Sequence, residues 1–324
     1  MNFEGIITLI KGDLEKVEHK IQDNFISDIK LIPVVGNHLF GGGGKRIRPI
    51  LVLLSSKLCG YEGERSILHS CVVEFIHTAT LLHDDVVDGA EKRRGIPSAN
   101  YVWGNQASVL VGDFLLARSF LMMSLDGSLP AMRVWSQASL CMAEGEVAQL
   151  INIRNLALSE DEYFHVIEKK TAALISACCQ VGAILGEMSS PMEEALTKFG
   201  YYVGMAFQLV DDALDYVAEE EKLGKAIGKD LREGNITLPL IYLLKKATEK
   251  ERSEIITASK SKDITDDQVQ HILNLMNNYE TISYTLSRAR NFANKAKKEL
   301  AHFNDSIYLD ALLGVADYIV EREI

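Results

Sequence analysis

Residues 66–89 read SILHSCVVEFIHTATLLHDDVVDG, and this stretch decides the fold. Apolar side chains cover most of it, without the polar alternation of a half-buried strand. A run of this length that is apolar over much of its surface is typical of a helix inside a large bundle, and Gly89 is placed to stop it. Residues 199–215, FGYYVGMAFQLVDDALD, repeat the pattern. Both stretches end in DDxxD.

The rest of the chain favours helices as well. Of 324 residues 47% are hydrophobic, six are proline, and none of the prolines follows Pro239. Ser159 with Glu162, and Thr265 with Gln268, predict capping boxes. The first of these helices should run to about Gly186, and a helix capped by Ser190 should run to about Glu221. No linker-like segment interrupts the pattern. The sequence therefore predicts an all-α fold, with residues 1–324 forming one domain.

Charge and cysteine content exclude several classes of protein. The chain carries 34 basic and 45 acidic side chains, a formal charge of −11, so nucleic acid is not expected as its main partner. The five cysteines show no metal-ligand spacing and are expected to be free thiols in a reducing compartment. No leader pattern and no apolar run of membrane-spanning length is evident. We expect a soluble, cytoplasmic protein.

The two DDxxD motifs carry the strongest chemical signal. Asp84 and Asp88 lie about 40° apart on one helical face, and Asp211 shares a face with its neighbours Asp212 and Asp215. Neither helix supplies a Lys or Arg three or four residues away that would neutralise its cluster. Acidic helix ends facing water remain an alternative for one such motif, but two on separate apolar helices favour Mg²⁺ bound together with phosphate oxygens.

Basic segments that suit a phosphorylated ligand accompany the acidic motifs. Glycines precede three cations in GGGGKRIRP (41–49), although the spacing is not that of a P-loop. RRG (93–95) follows the first acidic motif, KKT (169–171) lies in a helix, and GKAIGKD (224–230) follows the second motif. Solvated basic residues are the alternative for each segment. His77 and Gln208 are polar residues in apolar helices, and either could simply be a satisfied core residue.

Taken together, five segments resemble the trans-isoprenyl diphosphate synthases, the polyprenyl synthetase family. They are GGGKRIRP (42–49), EFIHTATLLHDDVVDGAEKRRG (74–95), EKKTAAL (168–174), GMAFQLVDDALDY (204–216) and GKAIGKDLREGNITLPL (224–240). The similarity is greatest to long-chain bacterial members. It implies an isoprenoid synthase fold, a single helical bundle around an apolar cavity, and a homodimer. The implied reaction is repeated 1'-4 condensation of isopentenyl diphosphate onto an allylic diphosphate such as farnesyl or geranylgeranyl diphosphate.

The resemblance also implies roles for individual residues. Asp84, Asp88 and Asp211 would bind Mg²⁺ on the allylic diphosphate, while Asp85, Asp212 and Asp215 would support them. Isopentenyl diphosphate would be held by Lys45, Arg48, His77 and Arg94. The allylic diphosphate would be contacted by Arg93, Lys170, Thr171, Gln208 and Lys225.

Product length is expected to be near C40, for quinone side chains, with delivery to membrane enzymes. Short-chain members carry bulky aromatic residues four or five positions before the first aspartate, where this chain has the small residues Thr80 and Ala79. The floor of the product tunnel is expected between Phe114 and Met123, with Phe120, Met122 and Met123 as candidates. The alternatives are a geranylgeranyl or farnesyl diphosphate synthase, a class I terpene cyclase, and a non-catalytic synthase subunit.

Overall fold

Helices dominate the computed structural model, which describes residues 1–41, 44–93, 95–217, 228–261 and 264–321. The helices of the first part are α1 Phe3–Leu9, α2 Lys11–Asn24, α3 Leu31–Gly41, α4 Ile47–Leu58, α5 Arg65–Val87, α6 Ala99–Trp103, α7 Asn105–Asp126, α8 Leu129–Ile151, α9 Glu160–Ile167 and α10 Ala173–Leu185. They are followed by α11 Ser190–Leu214, α12 Lys229–Glu233, α13 Leu238–Lys246, α14 Glu249–Lys260, α15 Asp266–Asn278, α16 Thr281–Glu299 and α17 Ile307–Glu321. The all-α prediction is confirmed.

Three short elements depart from regular α-helix. Strands β1 (Lys92–Arg93) and β2 (Ile96–Pro97) form an antiparallel hairpin, in which Arg93 pairs with Ile96. A π-helical turn, Glu168–Ala172, joins α9 to α10, and a 3₁₀ turn, Leu300–His302, follows α16. The helix expected to run unbroken from Ser159 to about Gly186 is therefore interrupted by the π turn.

Local capping explains several helix starts. The side chains of Ser159 and Thr265 accept backbone N–H groups three residues on, which confirms both capping boxes. The helix expected to be capped by Ser190 instead begins at that residue, because the carbonyl of Ser189 accepts the backbone N–H of Glu193. This α11 ends at Leu214, before the expected end near Glu221, a position that lies outside the described residues.

The chain forms two compact units. Unit 1 comprises Met1–Ser139, Ala177–Thr197 and His302–Gly314, and unit 2 comprises Leu140–Ser176, Lys198–Ala301 and Val315–Ile324. In unit 1, α5 packs against α2, α4 and α7, and Phe75 on α5 is completely buried. In unit 2, α13 packs against α9, α15 and α16. The expectation of a single domain stays a prediction.

One helix corrects the expectation about membrane-length segments. Helix α7 has a mean hydropathy of 1.5 over 18 residues, enough for a membrane span by length and composition, although Asp113 and Arg118 interrupt it. Only 39% of that window is buried. The five cysteines are free thiols as expected, and burial raises the pKa of the Cys178 and Cys179 thiols.

Candidate active site

In unit 1, the three aspartates of the first motif lie at the C-terminal end of α5 in different environments. Asp85 is 1% exposed, whereas Asp84 is half-buried and Asp88 is exposed. Arg93 donates from Nε to both carboxylate oxygens of Asp85, at 2.8 and 2.9 Å, and its Nη2 lies 2.7 Å from Oδ1. The buried aspartate is thus neutralised by the hairpin, and the other two can reach a ligand.

The hairpin that carries Arg93 is fastened to α5. The Asn100 side-chain amide donates to the carbonyl oxygens of Asp85 and Ala90, both at 3.0 Å. Ser98 donates from its backbone N–H to the Glu91 carbonyl at 2.9 Å. His38 Nε2 lies 2.7 Å from the Pro97 carbonyl oxygen. Arg94, expected to bind isopentenyl diphosphate, lies outside the described residues.

The three cations of the basic segment at the start of α4 lie in different environments. Arg46 has a left-handed backbone (φ 49°) and donates to Glu18 at 2.6 and 3.1 Å and to Glu74 at 2.9 Å. Burial raises the pKa of Glu74, although Arg46 and Arg48 oppose the shift. Lys45 is exposed and Arg48 is half-buried. Arg46 therefore serves the fold, and the binding of a substrate by Lys45 and Arg48 stays a prediction.

A pocket within unit 1 brings several of these groups together. Its lining includes Arg46, Glu74, His77, Asp85 and Arg93. His77 and Arg93, which the sequence assigned to two different diphosphates, thus line the same pocket. Their assignment to separate substrates stays a prediction.

The chain-length candidates all lie in unit 1, and their side chains differ in how far they are buried. Ala79 is fully buried, and Thr80 is half-buried and donates its hydroxyl to the His77 carbonyl at 2.8 Å. Met122 and Met123 are also buried, whereas Phe120 is 41% exposed. Phe120 is therefore a poor candidate for a tunnel floor, because its ring faces outward in this chain.

In unit 2, the second acidic motif repeats the division found in the first. Asp212 is buried and accepts hydrogen bonds from the Tyr163 hydroxyl at 2.5 Å and from Gln208 Nε2 at 2.7 Å. Burial raises the Asp212 pKa to about 7, while these two donors oppose the shift. Asp211 is half-buried. One member is again held inside by protein donors while another is open to a ligand.

The segment after the second motif adds a further carboxylate in unit 2. Asp215 accepts the backbone N–H of Asp230 at 2.9 Å. Burial raises the Asp230 pKa well above its ordinary value, and the nearby Asp215 and Asp212 carboxylates add to the shift. Lys225, predicted to contact the allylic substrate, lies outside the described residues.

Lys170 and Thr171 both lie in the π turn of unit 2. The Thr171 hydroxyl donates to Gln208 Oε1 at 2.7 Å, which joins the turn to the Gln208–Asp212 hydrogen bond. Lys170 Nζ lies 2.6 Å from Glu146 Oε2, and Lys169 pairs with Glu144. Tyr163, Glu144 and Glu146 were not singled out from the sequence, because no local motif connects them with their partners.

The donor set fits a metal that is bound jointly with a ligand. Within the described parts of the chain, no three His, Cys, Asp or Glu side chains form a group that could hold a metal by themselves. Mg²⁺ rarely needs such a cage, since it commonly binds one or two carboxylates together with phosphate oxygens and water. Asp84 and Asp88 in unit 1, and Asp211 in unit 2, are accessible carboxylates of the required kind.

Comparison with known proteins gives one consistent result. A model of the polyprenyl synthetase family matches residues 29–276. Octaprenyl diphosphate synthase of Escherichia coli is 42% identical over 323 residues, covering both chains completely.

Two crystal structures cover 99% of this chain. A decaprenyl diphosphate synthase from Rhodobacter capsulatus (99% of that chain covered) is 41% identical with a TM-score of 0.94. A polyprenyl synthase from Caulobacter crescentus (98% covered), complexed with calcium and isoprenyl diphosphate, is 39% identical with a TM-score of 0.96. The chain therefore belongs to the polyprenyl synthetase family, the metal-dependent prenyltransferases that elongate isoprenyl diphosphates.

Proposed function

We propose that this protein is a Mg²⁺-dependent synthase that adds isopentenyl diphosphate repeatedly to an allylic diphosphate and releases an all-trans product of about C40. The proposal rests on one observation, which is that each acidic motif has one buried aspartate and at least one accessible aspartate. Asp85 and Asp212 are buried and held by protein donors, while Asp84, Asp88 and Asp211 stay accessible. This arrangement keeps carboxylates fixed and open for metal bound to diphosphate.

The residues of the site suit cleavage of an allylic carbon–oxygen bond. Bound Mg²⁺ would stabilise the negative charge that develops on the departing diphosphate. Lys170 and the Thr171 hydroxyl would bind the allylic diphosphate with Gln208, Arg93 and Lys225. Lys45, Arg48, His77 and Arg94 would hold isopentenyl diphosphate, whose double bond attacks the allylic carbon. The departing diphosphate accepts the proton lost from the adjacent carbon, so no protein base is required.

A purified-protein assay tests the proposal. Labelled isopentenyl diphosphate is supplied with farnesyl or geranylgeranyl diphosphate and Mg²⁺, and the products are sized. Asp84→Ala and Asp211→Ala should each lower turnover by several orders of magnitude with the helical content unchanged. Asp305→Ala changes an exposed aspartate near the start of α17 and serves as the control. Near-normal turnover in either motif variant would refute the role proposed for that motif in binding metal.

The same assay separates the alternatives. A terpene cyclase would consume the allylic substrate without isopentenyl diphosphate, and a non-catalytic subunit would consume neither. With geranyl diphosphate supplied in place of the longer primers, a farnesyl or geranylgeranyl diphosphate synthase would stop at C15 or C20.

The exposed side of α7 supports a homodimer. Leu110, Phe120, Leu121 and Leu125 are 41–78% exposed and lie on one side of this helix. A second copy would remove this stripe from water, since contiguous apolar patches of this kind are typical of protein interfaces. Leu121→Glu should shift the protein to a monomer in sedimentation analysis, whereas Gln270→Glu, an exposed change on α15, should not. A wild-type monomer would contradict the assignment.

The cellular setting completes the proposal. Free thiols support a cytoplasmic location. A product of this length suits quinone side chains, and we propose that it is passed to membrane enzymes.

A further inference from the structure

The proposed reaction does not explain what stabilises the π turn of unit 2. The backbone N–H of Ala173 donates to the carbonyl of Glu168, five residues back, rather than four as in an α-helix. Such turns are rare and are usually less favourable than continuous α-helix. Contacts from outside the segment must therefore stabilise this one.

The first of these contacts is with α8 at Gly145. A Cβ atom on Gly145 would lie 2.5 Å from the backbone nitrogen of Lys170 and 2.8 Å from its Cα. Backbone atoms cannot swing aside as a flexible side chain can. The neighbours of this glycine, Glu144 and Glu146, pair with Lys169 and Lys170. The glycine thus lets two glutamates approach two consecutive lysines of the turn.

The second contact is with α11 at Gly204. A Cβ atom there would lie 2.6 Å from Ala172 Cα and 3.0 Å from Ala172 Cβ. Gln208, one turn further along α11, accepts through Oε1 a hydrogen bond from the Thr171 hydroxyl at 2.7 Å. Close backbone approach at Gly204 is what allows this hydrogen bond to form. Two helices therefore contact the turn through glycines, one at each end of the pair Lys170–Thr171.

We infer that Gly145 and Gly204 are positioning residues for the allylic diphosphate, because they hold the π turn in the conformation that places Lys170 and Thr171. The inference rests on the proposed role of those two residues. An added methyl group at either glycine must displace the turn by several tenths of an ångström, since the nearest atom that it meets belongs to the backbone. Lys170 and Thr171 then move with it.

Kinetics of Gly145→Ala and Gly204→Ala in the full-length enzyme test the inference. Each variant should raise KM for the allylic diphosphate by about tenfold or more, the usual effect of losing a charge-assisted contact. KM for isopentenyl diphosphate should stay within about twofold of wild type, because its proposed contacts lie elsewhere. Equal changes in both KM values would overturn the inference.

Two matched glycines separate positioning from packing. Gly182 on α10 is as tightly packed, with a Cβ that would lie 2.4 Å from Ser55 Cβ and 2.8 Å from Ser56 nitrogen. Gly182→Ala should lose stability without changing the ratio of the two KM values. Gly12 meets nothing within 4 Å, so Gly12→Ala should behave as wild type. If Gly145→Ala and Gly204→Ala behave as Gly182→Ala does, the two glycines contribute packing alone and the inference fails.

Lys170→Ala distinguishes failure of this inference from failure of the proposed site. If Lys170→Ala leaves the allylic KM unchanged, the proposed site is wrong. If it raises that KM while the two glycine variants do not, only the inference is wrong.

Hydrogen exchange of wild-type enzyme supplies a readout that does not depend on how the variants fold. The amides of the π turn should be as well protected in the free enzyme as those of α10. Fast exchange that slows only after inorganic diphosphate and Mg²⁺ are added would show that the ligand, and not the glycine contacts, orders the turn.

Discussion

At the scale of single residues, the side chains that hold the acidic motifs matter as much as the motifs themselves. Asp85 and Asp212 are both buried, and burying an unpaired carboxylate is costly. Arg93 supplies a full charge to Asp85, whereas Asp212 receives only the neutral donors Tyr163 and Gln208. The second motif therefore depends more on individual hydrogen bonds.

Tyr163→Phe should lower turnover about tenfold, because a donor to a carboxylate typically contributes about 1.5–3 kcal/mol. The variant should also require more Mg²⁺ for half-maximal activity, since Asp212 lies beside Asp211. Tyr284→Phe is the control, because Tyr284 donates to Glu160 at 3.0 Å and touches no motif residue. Steady-state kinetics across a Mg²⁺ titration measure the effect. An unchanged Mg²⁺ requirement in Tyr163→Phe would contradict this role of the hydrogen bond from Tyr163 to Asp212.

A second buried carboxylate stabilises unit 1. Asp126 is the last residue of α7, where the helix dipole disfavours negative charge, and its side chain is 3% exposed. Arg65 donates to both carboxylate oxygens at 2.7 and 2.8 Å. His69 Nε2 lies 3.4 Å from Oδ2, and His69 Nδ1 accepts from Trp135 at 3.1 Å. The Arg65 hydrogen bonds, with His69, lower the Asp126 pKa although burial opposes them.

The lowered pKa gives a definite pH dependence. An unfolded Asp titrates near pH 3.9, so the stabilisation is complete above that pH and is lost as pH falls towards the lower folded-state pKa. Asp126→Asn should reduce the free energy of unfolding by about 1–3 kcal/mol at pH 7 and flatten the decline of Tm between about pH 5 and 3. Asp266→Asn breaks the exposed pair with Arg232 and should cost less than about 1 kcal/mol. If Tm of Asp126→Asn declined with falling pH as steeply as Tm of the wild type, this account would be wrong.

At the scale of elements, the sequence predicted helices from local patterns, but it did not predict contacts between residues far apart in the chain. Capping boxes and apolar periodicity involve residues three or four apart, so they predicted α5, α9 and α15 from the sequence alone. The hydrogen bond from Tyr163 to Asp212 joins residues 49 apart, and the Lys170–Glu146 pair joins residues 24 apart. Nothing in either local pattern reveals such contacts, because they arise only when helices pack.

The fate of the basic segments illustrates the same limit. GGGGKRIRP places three cations beside a glycine run, and nothing in the segment shows that Arg46 would pair with Glu18 and Glu74, which lie on other helices. RRG follows the first motif closely in the sequence, and Arg93 does reach Asp85. Only eight residues separate these two partners, so the contact lies within the range of a local pattern.

Product length belongs to the scale of α5. Ala79→Tyr should shorten the product to about C15–C20 while the first condensations continue, because each added isoprene gains up to roughly 4 kcal/mol by burial until its path is blocked. Ala79 is fully buried, so the larger ring should also cost about 1–3 kcal/mol of stability. Ala79→Leu, with intermediate bulk, should give an intermediate length. A full-length product from Ala79→Tyr would show that the tunnel does not pass this residue.

At the scale of the whole molecule, the two units are interleaved along the chain. Four of the boundaries between them fall inside α8, α10, α11 and α17, and the fifth falls within the 3₁₀ turn Leu300–His302, so neither unit is a continuous segment. A net charge of −11 also means that anionic substrates must be attracted by local groups of cations rather than by the protein as a whole.

We predict that the chain unfolds in one cooperative transition, as a single domain over residues 1–324 would. Unit 2 cannot unfold alone without breaking helices that unit 1 also uses. Scanning calorimetry at fixed protein concentration should give equal calorimetric and van't Hoff enthalpies. Two resolved transitions would show that the units are independent domains. Because dimerisation would make Tm depend on concentration, Leu121→Glu provides the monomeric reference.

The π turn has a consequence for how this chain can vary in length. Removing one residue from 168–172 would let α9 and α10 join as a regular helix, which is intrinsically the more favourable arrangement. Because the π turn holds one residue more than an α-helical turn, this deletion would leave the residues on both sides, including buried Leu174 and Ile175, on their packed faces. It would change the placement of the segment itself, and with it Lys170 and Thr171. A one-residue deletion here should therefore leave the fold intact while it displaces the pair proposed to bind the allylic diphosphate.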